Sequence, residues 1–164
     1  MQELPLKQLD LVLFALISVV IYVFHIPGLG FLRIDAVALT VILFCLYRVD
    51  GISLATVFLL GLVQDIVSLA PLGQHALGLC VVAYFMRHFR DRILIQSVGK
   101  QIPGIALSLL ALKLIYGWVA ALGFGQLPSI AALLSVVFTA MLWPITVWFG
   151  KMLTQHRKLP GIGH

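Results

Sequence analysis

Long apolar runs, separated by short polar or turn-forming segments, make up most of the chain. The runs approach the roughly 20 residues that a helix needs to cross a ~30 Å hydrocarbon core. Glycine and proline interrupt them, most clearly in the segments 27–30 and 71–73, where a helix is not expected to continue. The pattern predicts a single membrane domain over residues 1–164 with six helices, at about 9–25, 31–49, 52–69, 74–86, 102–124 and 129–149.

Some positions are expected at the membrane boundary rather than across the core. The uncharged part of the second helix, residues 36–47, covers only about 18 Å, so we expect Arg33 and Asp35 at the membrane–water boundary. Residues 93–101 mix apolar and polar side chains and are expected on the membrane surface. Trp143 and Trp148 are expected toward one interface.

Composition agrees with this interpretation. The chain is 62% hydrophobic and only 10% charged, whereas soluble domains are about half apolar and a quarter charged. Six crossings would occupy roughly 120 residues and leave only short connections. The sequence therefore predicts an all-α integral membrane protein with no room for a soluble catalytic domain.

The formal net charge of +5 indicates the orientation of the helices. With six crossings, Arg33 is the only loop cation on the outer side. The positive-inside rule therefore predicts that both termini lie in the cytoplasm. Anionic lipids are the partners expected for the positive charge at that face, and nucleic acid is not expected as a partner. The cations on the inner side are Lys7, Arg48, Arg87, Arg90, Arg92, Lys100, Lys151, Arg157 and Lys158.

Motifs for catalysis or metal binding do not occur in the sequence. It contains no HExxH, no GxSxG and no P-loop, and no two histidines lie four residues apart. Cys45 and Cys80 lie in apolar runs without CxxC spacing, so we interpret them as small packing residues. The protein is expected to be non-enzymatic, without cofactor or metal.

Two charges are predicted deep in the membrane. Counted from the inner ends of their helices, Asp65 lies about 20 Å and Lys113 about 16 Å into the core. A charge at this depth is expected to face the bundle and to be paired. We hypothesise an Asp65–Lys113 pair between the third and fifth helices. Two alternatives remain: a later start of the fifth helix, with Lys113 snorkelling inward, or an early end of the third, with Asp65 near the outer headgroups.

Three separated motifs resemble a known family. The segment 61–77 has the pattern G-x-x-x-D, a short turn, L-G and then A-L; Arg33-Ile34-Asp35 opens the second helix, and Leu142-Trp143-Pro144 lies in the last. In these features the chain resembles the rod shape-determining protein MreD. It departs from the family at Ile34, where proline is usual, and at Ala70-Pro71, where Gly or Ser is more common. The matching positions of the first motif are Gly61, Asp65, Leu72, Gly73, Ala76 and Leu77.

The resemblance implies a non-enzymatic scaffold of the bacterial cell-wall elongation complex, located in the cytoplasmic (inner) membrane. MreD-like proteins work with the single-pass protein MreC and, indirectly, with MreB, RodA and its transpeptidase. The family fold resembles the six-helix substrate-binding component of energy-coupling-factor transporters.

Two functions remain open. A scaffold could bind MreC through small-residue stripes, either Ala131, Ser135 and Thr139 or Gly117 and Ala121, although such stripes also pack bundles internally. The alternative is a substrate-capturing subunit of a small-molecule transporter, with a cavity near the outer face. The polar residues available for such a cavity are Gln64, Asp65, Gln74 and His75.

Overall fold

The computed structural model describes residues 34–47, 52–124 and 130–156. These residues form helices joined by short turns, and no strand occurs among them. Each predicted helix except the one at 9–25, which lies outside the described residues, has a counterpart. The helices are α1 (Ala36–Tyr47), α2 (Leu54–Ser68), α3 (Gln74–His88), α4 (Arg90–Leu94), α5 (Val98–Phe124), α6 (Ile130–Met141) and α7 (Trp143–His156).

Helix α1 lies at the centre of the bundle. Every residue from Val37 to Tyr47 is buried, and α3, α4 and α7 pack against it. Its sequence is apolar on nearly all faces, and a helix of this kind is found in the core of a protein or across a membrane. The 12-residue helix that seemed short for a membrane crossing is therefore the core of the fold.

Helices α2 and α3 form a tight hairpin. The hydroxyl of Ser53 accepts a hydrogen bond from the backbone N–H of Ala55 (3.2 Å) at the start of α2. Leu69 ends α2 with φ +52°, and Gly73 precedes α3 with φ +96°, so both adopt left-handed conformations. The two helices then cross so closely that a Cβ atom on Gly61 would lie 2.2 Å from the Cα of Ala76.

Helix α5 begins earlier than the sequence indicated. It starts at Val98 rather than near residue 102, and its 27 residues span about 40 Å. The carbonyl of Ser97 accepts hydrogen bonds from the N–H groups of Lys100 and Gln101, which fixes the first turn. Residues 98–101, expected on the membrane surface, form the first turn of α5, and among them Gln101 is buried.

The last predicted helix is two helices. A single helix was expected over 129–149, but the chain breaks at Leu142 and α7 continues to His156. Pro144 lies in the first turn of α7, where the missing N–H of a proline is tolerated. The new helix turns Trp143 into the core with no exposed surface, whereas Trp148 is exposed. The expectation that both lie toward one interface stays a prediction.

The outer surface of the described bundle is largely apolar. Large side chains on every long helix except α1 are exposed, for example Leu59, Ile66, Leu107, Trp118 and Met141. Two segments, Val98–Val119 and Leu134–Met152, are long and apolar enough to cross a membrane, and two further apolar helices, Ala36–Tyr47 and Leu54–Ser68, are shorter.

Candidate functional site

The carboxylate of Asp65 joins the end of α2 to the start of α3. Its Oδ2 accepts a hydrogen bond from the N–H of Gly73 (2.8 Å), and its Oδ1 accepts one from the N–H of His75 (2.8 Å). His75 Nδ1 also lies 2.8 Å from Oδ1. Asp65 is almost completely buried, and it satisfies N–H groups at the start of α3, as a capping carboxylate does.

The polar contacts continue from Asp65 across the bundle. The ring of His75 packs against the ring of Tyr116 on α5, with 4.4 Å between centroids. Lys113 lies one turn before Tyr116, and its Nζ is 5.7 Å from the same ring. Lys113 then forms an ion pair with Asp35, just before α1. We call these five residues, Asp65, His75, Tyr116, Lys113 and Asp35, the polar network.

The hypothesis of an Asp65–Lys113 pair is wrong. Lys113 pairs with Asp35, and Asp65 is bound to its own turn. Counting residues along a helix gives the depth of a side chain but not its direction around the helix axis. The early start of α5 also moves Lys113 outward by about 6 Å relative to the predicted start. This shift brings it to the level of the residue that opens α1.

Asp35 is buried inside the bundle, and its level at the membrane–water boundary stays a prediction. It is 5% exposed, and its backbone N–H donates to the hydroxyl of Thr139 on α6 (3.3 Å). That hydroxyl donates in turn to the carbonyl of Ser135 (2.7 Å). Ser135 and Thr139 are therefore buried inside the bundle, so the predicted small-residue stripe on this helix is an internal packing surface at these two positions.

A second polar centre, at Gln101, was not singled out from the sequence. Its Oε1 accepts hydrogen bonds from the hydroxyl of Tyr47 (3.1 Å) and the indole N–H of Trp143 (3.0 Å). Its Nε2 donates to the carbonyls of Ile93 and Gln96. One glutamine thus connects α1, α4, α5 and α7. A single amide near a helix start gives no sequence signal that distinguishes it from a surface residue.

The structure brings together four of the six residues of the predicted motif at 61–77. Gly61 contacts Ala76, and Asp65 binds the backbone at Gly73. Leu72 and Leu77 point outward and are exposed. The other motif positions are Asp35 in the polar network, Leu142, Trp143 and Pro144 at the α6–α7 break, and Arg33, which lies outside the described residues.

The polar network joins α2, α3, α5 and the residue before α1 through buried polar contacts. Each carboxylate has a partner: His75 contacts Asp65, and Lys113 forms an ion pair with Asp35. The cysteines lie outside the network, with Cys45 buried in α1. Among the residues that the structure describes, no three His, Cys, Asp or Glu side chains are grouped so that they could hold a metal ion.

Comparisons of this chain with models of known protein families, with curated proteins and with solved structures find no match.

Proposed function

We propose that this protein is a multi-pass membrane protein of the bacterial inner membrane with both termini in the cytoplasm. The distribution of polar and apolar side chains carries this proposal. Polar residues such as Asp35, Gln64, Asp65 and His75 are buried, whereas leucine, isoleucine and tryptophan side chains cover the outside. Exposed apolar surface of this extent is unfavourable in water and favourable in lipid.

Within the membrane, the proposed role is that of an MreD-like, non-enzymatic scaffold that binds MreC and supports the elongation complex. The observation that supports it is the contact among the motif residues Gly61, Ala76, Asp65 and Gly73, which form one rigid hairpin. The hairpin presents Leu72, 76% exposed, at its tip. We propose this tip as the contact with the MreC helix or its outer flank, because it is rigid, apolar and outward-facing.

No contact among the described residues 34–47, 52–124 and 130–156 favours the transporter alternative. Two of its four candidate polar groups, Asp65 and His75, bind each other and the backbone of the hairpin rather than line a cavity.

Membrane location is tested by carbonate extraction of membranes that contain the tagged protein. The protein should stay in the membrane pellet, and release into the alkaline wash would contradict the location.

Partner choice is tested by purifying the tagged protein in mild detergent and identifying the proteins that accompany it. We expect MreC. The variant Leu72→Ser should retain about tenfold less MreC, because loss of a central apolar contact costs about 1–2 kcal/mol. Leu122→Ser on α5 is the matched control, since Leu122 is 85% exposed and distant in sequence from the hairpin. Recovery of an ATPase pair instead of MreC would favour the transporter subunit.

A further inference from the structure

An apolar groove of about 450 Å³ lies between α3, α4 and the first half of α5. Its volume falls within the roughly 300–1,000 Å³ of small-molecule sites. The walls are almost entirely hydrocarbon, and they include Val81, Phe85, Phe89, Ile93, Leu107 and Ala111.

The polar residues of the lining are Arg92 on α4 and Gln96 in the turn that follows, near one end of the groove, and Ser108 on α5, whose hydroxyl donates to the carbonyl of Gly104. The neighbouring arginines are engaged elsewhere: Arg87 donates to the carbonyl of Ile52 and Arg90 to the carbonyl of Leu46. Arg92 is exposed, and no contact joins it to an acidic side chain in the described part of the chain. The groove therefore combines a long apolar wall with one available cation near the predicted cytoplasmic boundary.

We propose that this groove binds one anionic phospholipid, with an acyl chain along the apolar wall and the phosphate at Arg92. The occupant follows from charge complementarity, since a guanidinium group binds a phosphate through two parallel hydrogen bonds. It follows also from the apolar wall, where the hydroxyl of Ser108 is already bonded to the carbonyl of Gly104. The inference rests on the proposed membrane location, but it does not depend on MreC.

Gly104 allows the groove to be closed without disturbing the fold. It lines the groove, and a Cβ atom added there would meet no other atom within 4 Å. A leucine at this position would extend into the space that the acyl chain occupies. Gly99, five residues earlier in α5, is equally open to a Cβ atom but does not line the groove, so Gly99→Leu is a matched control.

The experiment measures phospholipid retained by the full chain. Protein purified in mild detergent is mixed with equal amounts of phosphatidylglycerol and phosphatidylcholine, and bound lipid is counted by native mass spectrometry. We expect one phosphatidylglycerol per chain, at least about tenfold less in Gly104→Leu, and no change in Gly99→Leu. Circular dichroism and gel filtration establish that both variants are folded.

The headgroup is tested separately. Arg92→Gln should remove the preference for phosphatidylglycerol over phosphatidylcholine while total lipid retention persists. Lys100→Gln removes the same charge from an exposed position outside the groove and should leave the preference unchanged. Inorganic phosphate at millimolar concentration should not displace the lipid, because the acyl chain supplies most of the contact.

Equal lipid retention by Gly104→Leu and Gly99→Leu would overturn the proposed site, as would equal preference in Arg92→Gln and Lys100→Gln. Displacement by inorganic phosphate would show a free-anion site instead of a lipid site. Such results in protein that stays in the membrane pellet during carbonate extraction would leave the membrane location intact.

Discussion

The carboxylate of Asp35 and the ammonium group of Lys113 lie in the interior of the bundle, where each stabilises the charge of the other. A buried ion pair contributes little net stability compared with apolar side chains, because both charges lose their hydration. Removing one partner is far more costly, because a single charge then remains in a poorly solvated site. The pair therefore acts mainly by fixing how α1 and α5 meet.

We expect Lys113→Met to lower the free energy of unfolding by about 3–5 kcal/mol, because it leaves Asp35 without its cation. The double variant Asp35→Leu/Lys113→Met should lose less than the sum of the single variants, with a coupling of at least about 1 kcal/mol. The measurement is thermal unfolding in mild detergent. Lys100→Met, at an exposed position, is the control and should change stability by less than about 0.5 kcal/mol. Additive effects at Asp35 and Lys113 would mean that the pair does not form.

The sequence predicted that Asp65 and Lys113 are buried, but it could not predict their partners. The free-energy cost of burying a charge depends on its depth in the membrane, and counting residues along a helix approximates that depth. Pairing also depends on helix rotation and on the exact start of α5, and neither is encoded in apolar periodicity. Gln101 was missed for a related reason, since two of its four hydrogen bonds, from Tyr47 and Trp143, come from helices distant in the chain.

The helices themselves were more predictable than their contacts. The bounds of α2 and α3 lie within two residues of the prediction, because proline and glycine in the turn at 71–73 mark where the apolar runs must stop. The break at Leu142 was not predicted, since the apolar run continues through it without a charge. In that segment Pro144 was the available signal, and a proline permits either a kinked helix or a new helix start.

Gly61→Ala should be more damaging than Gly78→Ala, although both glycines are at tight helix contacts. A Cβ on Gly61 would meet backbone atoms of Ala76, whereas on Gly78 it would meet the ends of the Tyr116 and Leu112 side chains, which can move. We expect a loss of about 1–3 kcal/mol for Gly61→Ala from overpacking. Adding Ala76→Gly should not restore stability, because the clash is with backbone. Rescue by Ala76→Gly, measured by thermal unfolding, would contradict the close backbone approach.

The turn between α2 and α3 limits substitution for a different reason. Gly73 has open space around it but a left-handed backbone, so its substitution is limited by conformation and not by volume. We expect Gly73→Val to reduce folded protein in the membrane, and Gly73→Asn to be tolerated better, because asparagine adopts positive φ more readily than β-branched residues. Folded protein is measured by fluorescence-detected gel filtration. Normal abundance of Gly73→Val with loss of rod shape would instead indicate a partner contact at the turn.

Viewed as a whole, the described bundle differs from a soluble domain on its outside: its core is mostly apolar and encloses a few polar side chains, and its outer surface also carries many large apolar side chains. The proposed orientation places the turn at 71–73 outside the cytoplasm and the start of α5 inside. The turn at 71–73 precedes α3, whereas the start of α5 follows α3 and the short helix α4. The two positions therefore lie at opposite ends of α3.

Single cysteines at these positions test the orientation. In a background of Cys45→Ala and Cys80→Ala, we expect Leu72→Cys to react with a membrane-impermeant thiol reagent added to spheroplasts. Lys100→Cys should react only after the membrane is permeabilised. Both parent residues are exposed, so unequal labelling reflects the side of the membrane. Labelling of both positions from outside would contradict the arrangement with six membrane crossings.

The enclosure of α1 has a consequence for biosynthesis. Helix α1 has no surface left for lipid in the finished bundle, and Asp35 at its start needs Lys113, which is made about 80 residues later. At ~5–20 residues per second, roughly 4–16 s pass between the two. During this interval the nascent chain carries a short apolar helix and an uncompensated carboxylate, so an insertase or chaperone that shelters it until α5 emerges would determine how much protein reaches its final form.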